Sequence, residues 1–517
     1  MKRKIFFILL LLAILGLIDA SYLTYEHYNN LIPPCRINSF LPAFSDCGLV
    51  LRSSYAVILG IPVALIGLIH YFILALAIGL AVTTNKKLWW FWVFFQTAVG
   101  AVMSVYFMIV QFLIIKSLCI YCTASALISF TMFVLSYFSL DYERKIIFIY
   151  TGSFVYQYFI KNIFFLLPPE FVHNAMVGYG SFLGRLPFPK IILKFLLAVK
   201  NPRLEQKLAG IQFNNPVGLA AGFDYNADLT QILGSVGFGF QSVGTITNFP
   251  YEGNPKPMLG RLPKSQSLMV NKGFKNLGAR KIIEKLQDLD FEIPVGISIG
   301  RTNIRTKTTQ KQSVQDVVRT FILFEESGIK NAYYELNISC PNLYGNISFY
   351  PPKNLEELLE AVEKVSIKKP IFVKMPIEKN DEDTLEMLKV VSKFKFISGV
   401  IIGNLQKNRK DPSLDPEEVK QFHVGNFSGK PCEQRSNELI KLTYDHFGKR
   451  FIIIGCGGAF SAQDAYRKIK LGASLIQLIT GMIYKGPTLI SRINLELVEL
   501  LHKDGYKHIS EAVGKGL

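Results

Sequence analysis

Four long apolar segments near the amino terminus constrain the fold of this chain more than any other feature. Each is long enough for a helix that crosses a bilayer, which needs about 20 residues. They cover residues 5–25, 57–82, 89–115 and 118–140. The 517-residue chain is 50% hydrophobic and only 19% charged, whereas about 25% of the residues in an average soluble protein are charged. From about residue 201 the composition becomes globular, so we predict a multi-domain chain with a transmembrane four-helix bundle over residues 1–143 and a soluble domain after it.

Residues 144–200 join these two parts and are basic and aromatic. Glu170 is the only acidic residue in this stretch, which holds seven lysines and arginines. Basic residues among Phe, Tyr, Leu and Ile are typical of helices on an anionic membrane surface, so we predict a membrane-associated helical extension that contacts lipid. A fifth span over residues 146–167 is the alternative. The net charge of +18 does not indicate a nucleic-acid partner, because the sequence has no zinc-finger or RNA-recognition signature.

The basic residues around the apolar segments predict the orientation of the bundle. Lys2–Lys4, Lys86–Lys87 and Arg144–Lys145 fall on one side of a four-helix arrangement, and such charges favour the cytoplasmic side. The loop of residues 26–56 then faces outward. We therefore predict a multi-pass protein of the plasma (inner) membrane whose soluble domain lies in the cytoplasm.

Four of the seven cysteines lie in the membrane half. Cys35 and Cys47 fall in the outward loop, and Cys119 and Cys122 form a C-x-x-C at the outer end of the fourth segment. This spacing permits a reversible disulfide with a reactive first thiol, and an oxidising compartment permits a disulfide in the loop. With no nearby histidine to complete a zinc site, two such pairs on one face favour dithiol exchange over metal binding. A purely structural C-x-x-C is the alternative.

The stretch CRINSFLPAFSDCGLVLRSSYAVILGIPVALIGLIHY, followed by CIYC, resembles the bacterial vitamin K epoxide reductase homologues over residues 1–140. The resemblance implies that an extracytoplasmic thioredoxin-like partner passes electrons to the shuttle pair, Cys35 and Cys47. It implies that Cys119 and Cys122 then reduce a membrane quinone, and that Ser53 lines the quinone site.

Eight short β-rich runs alternate with helix-sized segments in the soluble half. They are residues 216–221, 238–244, 293–299, 332–338, 370–375, 397–402, 450–455 and 474–479. This alternation predicts a (β/α)8 TIM barrel over residues 201–517, with the chemistry at the carboxyl ends of the strands. GCGG (455–458) and ITG (479–481) at the last two strand ends predict a phosphate site built from backbone N–H groups. Lys374, inside an apolar run, needs an anionic partner if it is buried.

The motifs NPVGLAAGFD, ELNISCPN, IFVKMP, GNFSGKP and IIIGCGGAFS, in this order, resemble the dihydroorotate dehydrogenases over residues 150–517. The leader FFLLPPEFVH resembles the amino-terminal extension of the membrane-associated, quinone-dependent branch. The resemblance implies FMN as cofactor, dihydroorotate as substrate and quinone as electron acceptor. The cofactor-binding residues are predicted to be Ala221, Gly222, Thr245, Lys374, Gly429, Gly457, Gly458, Thr480 and Gly481.

Cys340 stands at the position of the catalytic base, which removes a proton from C5 of the substrate while hydride leaves C6 for the flavin. A thiol can act as base if its site lowers its ordinary pKa of about 8.5; a buried structural cysteine is the alternative. The predicted substrate-binding residues are Asn337, Asn342, Asn404, Asn276 and Lys272.

Five positions depart from the family pattern. Cys340 replaces the serine usual in the quinone-dependent branch, and Tyr225 replaces a lysine that grips the substrate carboxylate. The other three are Val270 for an asparagine, Leu405 for a threonine and Ile479 for a tyrosine. Loss of the lysine removes a charge-assisted contact worth roughly 1.5–3 kcal/mol, and we predict that Lys272 replaces it.

The sequence thus predicts a bifunctional membrane oxidoreductase. One half would oxidise dihydroorotate, or a closely related substrate, in pyrimidine biosynthesis. The other would oxidise dithiols in support of extracytoplasmic disulfide formation. Both would discharge to quinone, so no electron transfer between the halves is predicted. The alternatives are an FMN enzyme for another cyclic substrate, and a non-catalytic FMN module attached to a thiol oxidase.

Overall fold

The structure is a computed structural model that describes residues 2–34, 47–84, 87–139, 141–304, 309–345 and 347–516. The chain forms two compact units, Met1–Ile147 and Phe148–Leu517. The first is a bundle of apolar helices and the second contains a closed barrel, so the predicted fold class is confirmed.

Four long helices form most of the described part of the first unit. They are α1 (Lys2–Tyr28), α2 (Val63–Thr84), α3 (Lys87–Ile109) and α4 (Ile120–Ser139). α3 continues through a π-helical segment, Val110–Ile115, which ends at Lys116 with a left-handed φ of 55°. α1 packs against α2 and α4, and α3 packs against α2 and α4. Among the described helices, these four are long and apolar enough to cross a membrane.

The second apolar segment is shorter than predicted, because residues 57–62 are not helical. Val57–Ile58 and Ile61–Pro62 pair as a two-residue antiparallel ladder. Leu59 and Gly60 form the turn with positive φ angles of 50° and 82°. A proline at the end of this ladder suits the start of a helix, and α2 begins at the next residue. Hydropathy alone could not separate the ladder from the helix.

Three leader helices precede the barrel. They are α5 (Asp141–Val155, continued by Tyr156–Ile160 and Lys161–Leu166), α6 (Pro169–Gly184) and α7 (Pro187–Leu197). The polar side of α5 bonds to the barrel: the Tyr150 hydroxyl donates to Glu496 at 2.9 Å, and Arg492 donates to the Ser153 hydroxyl at 3.0 Å. The predicted boundary between residues 143 and 144 falls inside α5, and residues 146–167 do not qualify as a fifth span among the described helices.

The leader exposes many large apolar side chains. The following are between 58% and 73% exposed: Phe171, Tyr179, Phe182, Phe188, Ile191 and Phe195. A contiguous exposed apolar surface of this kind is typical of a site that meets a membrane or a partner.

Eight parallel strands close into a barrel in the second unit. They are β1 (Val217–Leu219), β2 (Phe240–Ile246), β3 (Val295–Ile299), β4 (Tyr333–Asn337), β5 (Ile371–Met375), β6 (Ile397–Ile402), β7 (Ile452–Cys456) and β8 (Leu475–Leu478). Neighbours in the barrel are neighbours in the chain, and β8 pairs with β1. Each predicted strand lies within or overlaps an observed one, because buried parallel strands read as continuous apolar runs.

Helices surround the barrel. The longer ones are Ala279–Leu286, Gln310–Glu326, Pro352–Glu363, Asp381–Lys393, Glu433–Phe447, Ala462–Lys470 and Leu489–Lys503. A separate antiparallel sheet of Leu259–Leu262, Ser267–Val270 and Asn426–Gly429 lies outside the barrel and carries residues to its carboxyl end. The amino end is covered by the hairpin Gln206–Leu208 and Ile211–Phe213, whose Phe213 packs on Phe240.

Candidate active site

A cavity of about 300 Å³ lies at the carboxyl ends of the barrel strands. All of the residues predicted to bind the cofactor line it: Ala221, Gly222, Thr245, Lys374, Gly429, Gly457, Gly458, Thr480 and Gly481. Of the residues predicted to act on the substrate, Cys340, Asn337, Asn342, Asn404 and Lys272 also line it. The fold therefore brings together side chains that are up to about 260 positions apart in the sequence.

The glycine turn after β7 leaves its backbone open to the cavity. Gly457 and Gly458 have positive φ angles of 110° and 75°, and a Cβ added to Gly458 would collide with Glu433. The Thr480 hydroxyl lies opposite, 2.8 Å from the Ser428 hydroxyl. Turns with exposed backbone N–H groups and a neighbouring hydroxyl are suited to a phosphate group.

Lys374 carries a buried positive charge at the end of β5. Its Nζ lies 3.4 Å from Glu335 Oε1, and both side chains are less than 5% exposed. Burial alone would lower the pKa of Lys374, but the Glu335 carboxylate holds it above its ordinary value. The ammonium group is therefore charged, and its anionic partner within the protein is a residue that the sequence analysis did not identify.

These features fit FMN. The glycine turn can receive the phosphate, and the Lys374 ammonium can face an electron-rich ring. Gln477 adds a third observation, because its Oε1 is buried without a hydrogen-bond partner among the described residues and its side chain lines the cavity. A buried amide oxygen without a partner is costly, and a ring N–H would satisfy it.

Three asparagine amides line the cavity next to the β4 loop. Asn337 donates to Thr245 Oγ1 at 2.8 Å, and Asn404 donates to the Ser339 hydroxyl at 2.6 Å. Asn342 donates to the Val270 carbonyl at 2.9 Å. These bonds fix the orientation of the amides, as recognition of a flat polar ring requires.

Cys340 is a free thiol on the same loop. Burial raises the pKa of Cys340 to about 11, although a backbone hydrogen bond near Asn342 and the charges of Arg301, Lys407 and Lys374 oppose this effect. The thiol is thus predominantly protonated at neutral pH, and basic groups that could stabilise its thiolate surround it.

Lys272 and Tyr225 form a pair at the edge of the cavity. Lys272 Nζ lies 4.3 Å from the centroid of the Tyr225 ring, which also stacks on His173 at 5.4 Å. Burial, followed by the charge of Lys275, lowers the pKa of Lys272 to about 7. Tyr225 stands where the family pattern has a lysine. Its ring is thus in contact with a lysine from another segment of the chain.

Asn276 is not among the residues that line the cavity, and its role toward the substrate stays a prediction. Its amide donates to Thr247 Oγ1 and the Phe274 carbonyl, and its oxygen accepts from Gly278 N. These bonds hold the segment that follows the Lys272 turn. The departures Val270, Leu405 and Ile479 do line the cavity, as apolar wall.

The leader helices extend the cavity away from the barrel. Tyr156, Phe164, Val172, His173 and Met176 contribute lining side chains. Arg261 joins leader and barrel, because its Nη1 donates to the carbonyls of Phe165 and Leu167 at 3.3 and 2.6 Å. The sequence analysis missed all of these residues, since an apolar leader has no motif that identifies which face meets the barrel.

The first unit has its own cavity, of about 240 Å³. Cys122 and Ser53 line it. Cys119 is buried behind them against Cys47 and Val50, and Cys47 is disulfide-bonded. Cys35 lies outside the described residues.

Cys119 and Cys122 are free thiols in contact with each other. The Cys122 backbone N–H donates to Cys119 Sγ at 3.3 Å, and Gln111 Oε1 accepts from the Cys119 N–H at 3.0 Å. A hydrogen bond from the Cys122 side chain lowers the pKa of Cys119 below its ordinary value. No cluster of metal ligands occurs among the described residues.

Comparison with known proteins gives a match for each unit. A family model described as dihydroorotate dehydrogenase matches residues 203–501, and one described as the vitamin K epoxide reductase family matches residues 7–137. A protein named dihydroorotate dehydrogenase (quinone) from Sulfurovum sp. is 35% identical over 359 residues, which are 69% of this chain and 97% of that protein. A protein of the same name from Nostoc punctiforme is 34% identical over 378 residues, 70% of this chain and 98% of that protein.

The solved structures that resemble this chain are of the same kind. Ligand-free DHODH from Eimeria tenella has a TM-score of 0.59 and 26% identity, and covers 67% of this chain and 99% of its own. The DHODH of that organism in complex with ferulenol has the same TM-score and 25% identity, and covers 67% of this chain and 95% of its own.

Proposed function

Because the chain belongs to the dihydroorotate dehydrogenase family, we propose that its barrel oxidises dihydroorotate to orotate as a step of pyrimidine biosynthesis. The chain is an oxidoreductase whose cofactor is FMN and whose electron acceptor is quinone. One observation carries the substrate proposal: a single cavity joins the free Cys340 thiol, three oriented asparagines and a glycine turn. FMN held by the glycine turn and Lys374 would supply the hydride acceptor for C6 of the substrate and the path of electrons to quinone.

Side chains of the protein carry out the remaining steps. Asn337, Asn342 and Asn404 hold the pyrimidine ring by hydrogen bonds, and their own bonds to the protein keep them in place. Cys340 removes the proton from C5. Lys374 lines the cavity and would stabilise negative charge on a bound cofactor, since Glu335 keeps it protonated. The apolar cavity between α5 and α6 admits the quinone.

An anaerobic visible spectrum of the detergent-purified protein tests the proposal. Addition of dihydroorotate is expected to bleach the bound flavin, and addition of a short-chain quinone is expected to restore its colour. Flavin that stays oxidised with dihydroorotate but bleaches with another cyclic substrate would show that the altered pocket has a different substrate. Flavin that no such substrate bleaches would identify a non-catalytic module.

We assign the substrate carboxylate to Lys272, which is beside the position of the missing lysine. Lys272→Gln is expected to raise the dissociation constant for orotate about 10- to 100-fold, because a charge-assisted hydrogen bond contributes roughly 1.5–3 kcal/mol. The double variant Tyr225→Lys/Lys272→Gln returns the charge to the family position and should recover most of the affinity. Because the pKa of Lys272 is lowered to about 7, the affinity of the wild type for orotate should fall as pH rises above 7. Spectral titration of the flavin measures all three, and unchanged affinity in Lys272→Gln would contradict the assignment.

For the first unit we propose quinone-linked dithiol oxidation. The juxtaposed thiols of Cys119 and Cys122, and a cavity that Cys122 and Ser53 share, support this activity. Cys35 and Cys47 are proposed to receive electrons from an extracytoplasmic thioredoxin-like partner. The membrane topology that we propose has four spans in the plasma membrane and the loop of Cys35 and Cys47 outside. The barrel lies in the cytoplasm, and the exposed leader residues contact lipid. Alkylation tests the proposed electron transfer from the partner, because it should trap Cys35 or Cys47 in a mixed disulfide with that partner.

A further inference from the structure

Asp19 is a carboxylic acid in the middle of an apolar helix. It is the one acidic residue of the predicted apolar segment 5–25 in α1. Its Oδ2 is buried without a hydrogen-bond partner among the described residues. Ionisable groups inside a membrane are costly and are usually there for function. Nothing in the proposed path from the loop cysteines to Cys122 uses this residue.

The carboxyl group faces the place where the thiols meet quinone. Asp19 lines the 240 Å³ cavity together with Cys122 and Ser53. Cys119 contacts Cys122, so the cavity that Asp19 lines adjoins the dithiol pair. The cavity is otherwise mostly apolar, as a quinone site requires.

Several other polar side chains of the cavity are engaged with the protein. The Tyr71 hydroxyl bonds to Ser129 Oγ at 2.8 Å and to the Ser125 carbonyl at 3.0 Å. His70 Nδ1 bonds to Gln96 Nε2 at 3.0 Å, and its Nε2 packs against Gly100. Gln111 Oε1 accepts from the Cys119 N–H. Asp19 differs from these groups because one of its oxygens remains free for an incoming molecule.

Quinone reduction by a dithiol has a proton requirement that this carboxyl group can meet. Two S–H bonds break and one S–S bond forms, while two electrons and two protons convert the quinone into a quinol with two new O–H bonds. The thiols and the quinone thus balance without another reactant. The protons must nevertheless move from sulfur to the quinone oxygens inside an apolar cavity, where water is not readily available to carry them.

We propose that Asp19 is the catalytic acid of the thiol–quinone reaction in the first unit. Its carboxylic acid donates a proton to a quinone oxygen as the dithiol is oxidised, and it recovers a proton released by the thiols. Asp19 is therefore protonated both at the start and at the end of the cycle. This inference rests on the proposed dithiol-oxidising function of that unit.

The test measures quinol formation by the detergent-purified full chain, with dithiothreitol as electron donor and a short-chain naphthoquinone as acceptor. Dihydroorotate is omitted, so the barrel contributes no electrons. Asp19→Asn is expected to lower the rate about 100-fold, since positioned acids contribute roughly 10²–10⁴-fold, and Asp19→Glu should retain much more activity. Glu26→Gln is the matched control: it alters the other carboxylate near the end of α1, which does not line the cavity, and should keep the wild-type rate.

The pH profile distinguishes an acid from a structural residue. The titratable groups that face the cavity besides Asp19 are His27, Tyr55, His70, Tyr71 and Cys122, with Cys119 behind them. If Asp19 is the acid, the rate of the wild type should fall at high pH, where the carboxylic acid is deprotonated. Asp19→Asn should lack this fall, and its affinity for quinone should equal that of the wild type. An unchanged rate, or a loss explained by weaker quinone binding with an unaltered pH profile, would overturn the proposal. A wild type without any dithiothreitol-driven quinol formation would instead refute the proposed function of the unit.

Discussion

Cys340→Ala should stop flavin reduction by dihydroorotate while FMN remains bound. Among the described residues of the β4 loop, the thiol is the only candidate base that lines the cavity, and general bases contribute about 10²–10⁴-fold to rate. The glycine turn and Lys374 are untouched, so the flavin spectrum of the purified variant should match that of the wild type. Stopped-flow measurement of flavin bleaching gives the rate. Cys432→Ser is the control, because this buried cysteine donates to the Asn404 and Phe427 carbonyls and serine preserves a donor.

The pH dependence of the same step follows from the environment of the thiol. A base works in its deprotonated form, and burial raises the pKa of Cys340 to about 11. The rate of flavin reduction should therefore rise with pH through the neutral and mildly alkaline range, roughly tenfold per pH unit. A Cys340→Ala variant that still bleaches at the wild-type rate would remove Cys340 from the mechanism and leave the thiol a packing role.

The barrel was predictable from the sequence because its strands carry their signal locally. Runs such as 397–402 and 450–455 are continuous apolar segments, as buried parallel strands are. Glycine and polar motifs follow them, and the fold itself dictates that these ends converge. Order and spacing therefore predicted the phosphate-binding turn, whereas the other cofactor-binding residues were implied by the resemblance to the dihydroorotate dehydrogenases.

The structure adds to the site what only tertiary contacts decide. Glu335 lies on the strand next to that of Lys374, and the sequence does not show that these two side chains meet. The contact between Lys272 and Tyr225 joins residues 47 positions apart, so the sequence could indicate a displaced lysine without showing where it went. The amide of Asn276 bonds to Thr247 Oγ1, 29 positions away, a contact that the sequence does not reveal, and its role toward the substrate stays a prediction.

The leader shows a further limit of hydropathy. The apolar residues of α5 and α6 divide between faces that line the cavity, such as Tyr156 and Val172, and faces that stay exposed, such as Phe171. Composition indicated only that the segment is amphipathic and basic. Polar contacts such as Tyr150 to Glu496 determine which side meets the barrel.

The two units should be separable by single substitutions, because each has its own cavity and its own reactive cysteine. Cys122→Ala is expected to lower dithiothreitol-driven quinol formation by about 10⁴-fold or more, the scale seen when a catalytic nucleophile is removed. Without Cys122, Cys119 lacks the neighbouring thiol with which it would form a disulfide, so the two-electron transfer to quinone cannot be completed.

The same Cys122→Ala variant should reduce quinone with dihydroorotate at the wild-type rate, and Cys340→Ala should show the opposite pattern. Each substitution thus serves as the control for the other, because the same assay of quinol formation measures both activities of each purified variant. Loss of both activities in Cys122→Ala, with the flavin still bound and the protein still folded, would mean that the barrel depends on the thiols of the first unit. Two independent inputs into a common quinone pool would then be the wrong description of this chain.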